Sequence, residues 1–140
     1  MNGLDTSLMV TYLKPQDARL GALAADVIDR ETELAVGLVA LVEAGYVLAH
    51  HYSVPRAAIV DALVAFVMKR NVRVLGTDKA LVASALLGCR NSGRVSFADA
   101  LIQVEAQSHS LTGMYTFDRR FPREGVPVLI LRPDAAPSSD

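Results

Sequence analysis

Four acidic residues spread along the chain, Asp5, Glu43, Asp99 and Asp118, sit at positions suited to chemistry rather than solubility. Asp5 follows Gly3-Leu4, and Asp118 follows Met114-Tyr115-Thr116-Phe117. Asp99 comes three residues after Ser96, at the start of a helical pattern. Glu43 is the one charged residue in 34–49, LAVGLVALVEAGYVLA. On a helix its i±3 and i±4 neighbours are Val39, Ala40, Tyr46 and Val47, so it shares its face with apolar groups. That environment predicts a carboxylate held away from water, which is costly unless a cation meets it. No Lys or Arg lies within helical reach of Glu43.

Carboxylates gathered in one pocket repel one another unless a divalent cation holds them. Ligands that are all oxygen favour a hard ion, Mg²⁺ or Mn²⁺. Such an ion lowers the pKa of a bound water and polarises a phosphoryl group, which suits phosphodiester hydrolysis. Each acid also has a local explanation. Asp5 could cap the first helix, Ser96-Phe97-Ala98-Asp99 is close to a capping box, and Asp118 could cap a turn at Arg119-Arg120-Phe121. Capping is not available to Glu43, which falls mid-helix.

The elements that must position these acids alternate. Strands are expected at Gly3-Leu4-Asp5, Leu34-Ala35-Val36, Val72-Arg73-Val74-Leu75, Met114-Tyr115-Thr116-Phe117 and 126–131. Helices lie between them, including one from Pro15 whose apolar face carries Leu20, Leu23, Ala24, Val27 and Ile28. Pro127 marks the last strand as an edge. The pattern is α/β, a mostly parallel central sheet flanked by helices, in a single domain over 1–131. Residues 132–140, rich in Pro, Ala and Ser, read as a flexible tail. In such sheets ligands bind beyond the C-terminal strand ends. If the first and fourth strands are neighbours, Asp5 and Asp118 converge there.

At 140 residues the chain can build one real core. A hydrophobic fraction of 51% hints at apolar surface covered by a partner or a second copy. Net charge is only -1, yet residues 69–125 hold nine basic and five acidic residues, a bias a polyanion could use. The single Cys89 excludes an internal disulfide and a thiolate metal site. Gly76-Thr77-Asp78-Lys79 lacks the ending of a phosphate loop. His50, His51 and His109 show no metal spacing, and Asp17, Asp26, Asp29 and Asp61 read as solvated helix faces. The opening residues carry no signal-peptide pattern, and 34–49 is too short to span a bilayer, so a cytoplasmic protein with no membrane contact is expected.

Gly3-Leu4-Asp5-Thr6-Ser7, Glu43 in its apolar helix, Phe97-Ala98-Asp99-Ala100-Leu101-Ile102, and Tyr115-Thr116-Phe117-Asp118-Arg119 followed by Phe121 together resemble the PIN-domain nucleases. The likeness runs through nearly the whole chain and is greatest to the VapC-type toxins of bacterial toxin–antitoxin pairs. It implies a PIN-like fold and a metal-dependent endoribonuclease that binds Mg²⁺ or Mn²⁺ through Asp5, Glu43, Asp99 and Asp118. It further implies that Thr6 and Thr116 assist near the scissile phosphate, that a VapB-type antitoxin covers the active-site groove, and that a homodimer forms. Many relatives carry a further Asp where this chain has Ser96. The alternative from a different class is a PIN-fold scaffold that binds and cuts nothing. An aspartyl-phosphate phosphatase would need an acid at Ser7.

Overall fold

The computed structural model describes residues 1–133 and 135–138. Its elements run β1 (Asn2–Gly3), α1 (Thr6–Leu13), α2 (Ala18–Arg30), β2 (Leu34–Val36), α3 (Leu38–His50), α4 (Arg56–Val67), β3 (Val72–Val74), α5 (Lys79–Gly88), α6 (Phe97–Ser108), β4 (Met114–Thr116), β5 (Val128–Arg132) and β6 (Ala135–Ser138). This is the α/β alternation expected, with parallel pairing dominant.

The strands fall into two three-stranded ladders. In the first, β2 lies between β1 and β3, all parallel, with Leu34 opposite Asn2 and Val72. All three β2 residues are buried, as a strand covered on both faces requires. In the second, β5 lies between parallel β4 and antiparallel β6. Three expectations are corrected here. Among the described residues β1 and β4 share no ladder, so a common strand edge does not bring Asp5 to Asp118. Pro127 marks no edge, because it precedes β5, which is the central strand; its carbonyl accepts from the Met114 amide at 2.9 Å. Within the stretch read as a tail, Ala135–Ser138 pair with β5, while Asp134, Ser139 and Asp140 lie outside the described residues.

The main core gathers Met9, Ile28, Leu34, Leu41, Leu63, Phe66 and Val72 from α1 through β3, and extends to Leu101 and Val104 of α6. Full burial of each large side chain contributes about 1.5–3 kcal/mol. A smaller cluster of Phe121, Val128 and Ile130, with Met114 against it, lies under the second ladder. Helix α2 buries Ala24 and Ile28 but turns Leu20 and Leu23 outward, so its apolar face is narrower than the sequence implies. Asp17, read as a solvated face, caps α2 by accepting from the amides of Arg19 and Leu20. Asp29 and Asp61 are not simply solvated either: each meets a cation, Lys69 and Arg90 respectively.

Two contacts set α6 against the rest of the fold. A Cβ added at Gly45 would come within 2.9 Å of the Phe97 ring, so the glycine is what lets α6 approach α3 this closely. Arg56 of α4 donates to the carbonyls of Cys89 and Val95 and lies 4.5 Å from the Phe97 ring centroid, fixing the loop that leads into α6.

Candidate active site

Asp5 follows the end of β1 by two residues and caps α1. Its Oδ1 accepts from the Leu8 amide at 3.2 Å and from the Ser7 hydroxyl at 2.7 Å. These bonds, Ser7 first, hold its carboxyl below the usual range. The Thr6 hydroxyl reaches across to α3 and donates to Glu43 Oε1 at 2.6 Å. It also lies 3.4 Å from the Ala40 carbonyl, but a hydroxyl has one proton and the shorter contact takes it.

Glu43 is not buried as expected: its side chain is exposed. Helix α3 turns Leu41, Ala44, Gly45 and Leu48 inward and Val39, Glu43, Tyr46 and His50 outward. The outward stripe escapes a reading by polarity because Val39 and Tyr46 are apolar, yet 84% and 60% exposed. Nothing cationic is therefore needed to offset burial of Glu43; Thr6 holds it.

Asp5, Thr6, Ser7 and Glu43 line one open groove of about 780 Å³ between α1 and α3. On its other side Glu43 borders a second, mostly apolar groove, with Val42 and Tyr46 of α3 facing Ala98, Leu101 and Ile102 of α6. Glu43 thus stands on the ridge between the two.

Asp99 and Asp118 line neither groove. Asp99 is half-buried in the first turn of α6, its amide donating to the capping Ser96 hydroxyl at 3.0 Å. Asp118 is exposed beyond β4. Its amide donates to Thr116 Oγ1 at 3.0 Å, and its Oδ1 accepts from the Arg120 amide at 2.8 Å. So Asp5 and Asp118 do make the local caps foreseen for them, whatever else they do. Among the described residues no three of His, Cys, Asp and Glu stand close enough together to hold a metal ion.

The groove's own side-chain donor set is nonetheless all oxygen, two carboxylates beside the hydroxyls of Thr6, Ser7, Thr11 and Tyr52. Mg²⁺ keeps several waters and is usually bound through one or two carboxylates plus substrate phosphates, so Asp5 and Glu43 fit such an ion. A metal needing a closed cage would not fit here.

One structurally decisive residue carries no signal in the sequence. Gln103 of α6 is 1% exposed. Its amide donates to the carbonyls of Pro122 at 2.8 Å and Val126 at 3.1 Å, and its Oε1 accepts from the Val126 amide at 3.0 Å. It pins the 118–126 segment to the helix that bears Asp99. Gly125, at φ +138°, leaves room for it: a Cβ there would lie 2.5 Å from Gln103 Oε1.

Compared with known families, the chain matches the PIN domain over residues 4–125, and it belongs to that family. PIN domains are commonly nucleases. No curated protein and no solved structure matches it. Among the described residues no helix is long and apolar enough to cross a membrane.

Proposed function

We propose that this chain is a metal-dependent endoribonuclease, the toxin of a toxin–antitoxin pair of the VapC type, acting in the cytoplasm. The observation that carries this reading is that Asp5 and Glu43, 38 positions apart, line one groove, with Glu43 tied by the hydroxyl of Thr6, the residue after Asp5. Bound there, Mg²⁺ or Mn²⁺ would supply a water acidic enough to attack a phosphodiester and would polarise the phosphoryl group. Asp5 and Glu43 would hold the ion, and the Thr6 hydroxyl fixes Glu43 at Oε1. Asp99 and Asp118 would complete the acidic set, and Thr116 Oγ1, accepting from the Asp118 amide, orients that turn. The exposed apolar side chains of Val39, Tyr46 and Ile102 support a VapB-type antitoxin covering this face, and a homodimer would use further apolar surface.

A PIN-fold scaffold is the second reading. It is favoured by the lack of any three-carboxylate cluster among the described residues. Asp5→Asn separates the two, since Asn still caps a helix and leaves the fold intact. The nuclease reading expects Mn²⁺-dependent RNA cleavage to fall about 100-fold or more, the scale of losing a group that acts on the transition state. Equal cleavage by both proteins would refute the assignment of Asp5; no metal-dependent cleavage by the wild type would favour the scaffold.

A further inference from the structure

We propose that the exposed end of β4 and the arginine turn that follows it form a platform for single-stranded RNA. Tyr115 and Phe117 stack on bases, while Arg119, Arg120 and Arg123 meet phosphates. The identity of the ligand rests on the ribonuclease reading above; the surface itself does not.

Three features set this segment apart. Tyr115 and Phe117 are 65% and 77% exposed, although Met114 beside them packs into the second core. Alternation along a strand explains why Met114 goes in and Tyr115 goes out. It does not explain why aromatic rings face water, and clustered apolar groups rimmed by charge mark interaction sites.

The arginines are unspent. Arg30, Lys69, Arg73 and Arg90 each pair with a carboxylate; among the described residues Arg19, Arg70 and Arg94 stand singly without an ion pair, whereas Arg119, Arg120 and Arg123 are three such arginines in one short turn. The nearest acid in sequence, Asp118, accepts instead from the Arg120 backbone amide.

The backbone presenting these arginines is fixed. Gln103 pins Pro122 and Val126, and the Phe121 side chain is buried in the second core. An arginine on a fixed backbone loses less freedom on binding.

Exposed rings next to unpaired guanidinium groups match an unpaired strand. Bases in a single strand offer faces for stacking, whereas a duplex hides them. Guanidinium groups hold phosphates through paired hydrogen bonds. A second copy of this chain fits less well. A two-fold contact centred on the arginine turn would set it against itself, like charge on like charge.

The chain has no tryptophan, so Phe117→Trp creates a single reporter. Titrate it with oligouridine in EDTA, where binding is read without cleavage. The proposal expects saturable quenching, with a duplex of equal charge binding about tenfold more weakly. Tyr115→Ala in the same background should weaken binding by about tenfold, the scale of one lost base stack. Arg119→Gln and Arg120→Gln should each flatten the salt dependence by about 0.7 in log–log slope. Anisotropy of labelled oligouridine on the wild-type chain gives an independent readout.

Equal affinity for duplex and single strand would overturn the proposal, as would absence of quenching. So would a blue shift with protein concentration alone, which would assign the face to a second copy. If oligouridine binds as expected but Mn²⁺ drives no cleavage, the platform stands and the nuclease reading falls. If cleavage occurs while Phe117→Trp reports no stacking, the reverse holds.

Discussion

The groove between α1 and α3 and the segment running from α6 through β4 both carry acids, but they hold them differently. In the groove a side chain from one element bonds a side chain from another, Thr6 to Glu43 across 37 positions. In the α6–β4 segment the bonds made at Asp99 and Asp118 stay within three residues of sequence. There the long-range fastening falls to Gln103, which is no acid at all. In the first region Asp5 is held locally by Ser7 and Leu8 while Glu43 is tied across the chain by a side chain, and the second positions its groups indirectly, by fixing the backbone they ride on.

The largest effect should come from breaking the second fastening. Gln103→Leu leaves two carbonyls and one amide without the partner they have here and should cost about 3 kcal/mol or more in urea unfolding, at about 1–3 kcal/mol per orphaned group. Gly125→Ala should act in the same direction, because its Cβ collides with Gln103 Oε1. A loss below about 1 kcal/mol in Gln103→Leu would mean the segment is held by other contacts.

Next comes the joint between the two regions. Gly45→Ala places a Cβ 2.9 Å from Phe97 and should destabilise by about 1–3 kcal/mol as α6 is pushed off α3. Unchanged stability would show that the helices have slack.

Within the groove, Thr6→Val should leave the fold nearly as stable but cut metal-dependent cleavage by about tenfold, the worth of one bond to a charged group. Thr6→Ser should restore it, which a purely packing role for Thr6 would not.

The smallest effect concerns pH. Asp5 is lowered first by the Ser7 hydroxyl, Asp29 first by the Tyr12 hydroxyl and then Lys69, and Asp61 first by Arg90. Each carboxyl has a folded pKa below its ordinary 3.8, so its stabilisation is present above that value and lost as pH falls through the folded pKa. These groups are exposed, and the decline should be shallow. Urea midpoints followed down through the acid range should fall less in Asp61→Asn than in the wild type.

Much of the fold was legible because it is written locally. Asp5 and Ser96 each cap the helix that follows, and the buried run Leu34-Ala35-Val36 forms the covered strand it suggests. The readings that failed needed information from across the chain. Burial of Glu43 was inferred from apolar neighbours, but α3 exposes part of its apolar surface. Pro127 suggests an edge because proline has no N–H for a ladder, but it falls just before β5, which β4 and β6 flank. The candidate site was half legible. Asp5 and Glu43 stand out as chemistry-bearing, while Thr6, whose hydroxyl ties Glu43 to α1, is marked only as a helper. Gln103 was invisible, since a glutamine at an inward helix position announces itself only once Pro122, Gly125 and Val126 are in place around it.

The claim on which the rest depends is that Asp5 and Glu43 together hold a divalent ion. Titrating Mn²⁺ against the wild type, Asp5→Asn and Glu43→Gln, with free Mn²⁺ followed by electron paramagnetic resonance, tests it directly. The account predicts saturable binding by the wild type, with affinity weakened about tenfold or more by either substitution. Wild-type affinity retained in both variants would contradict it.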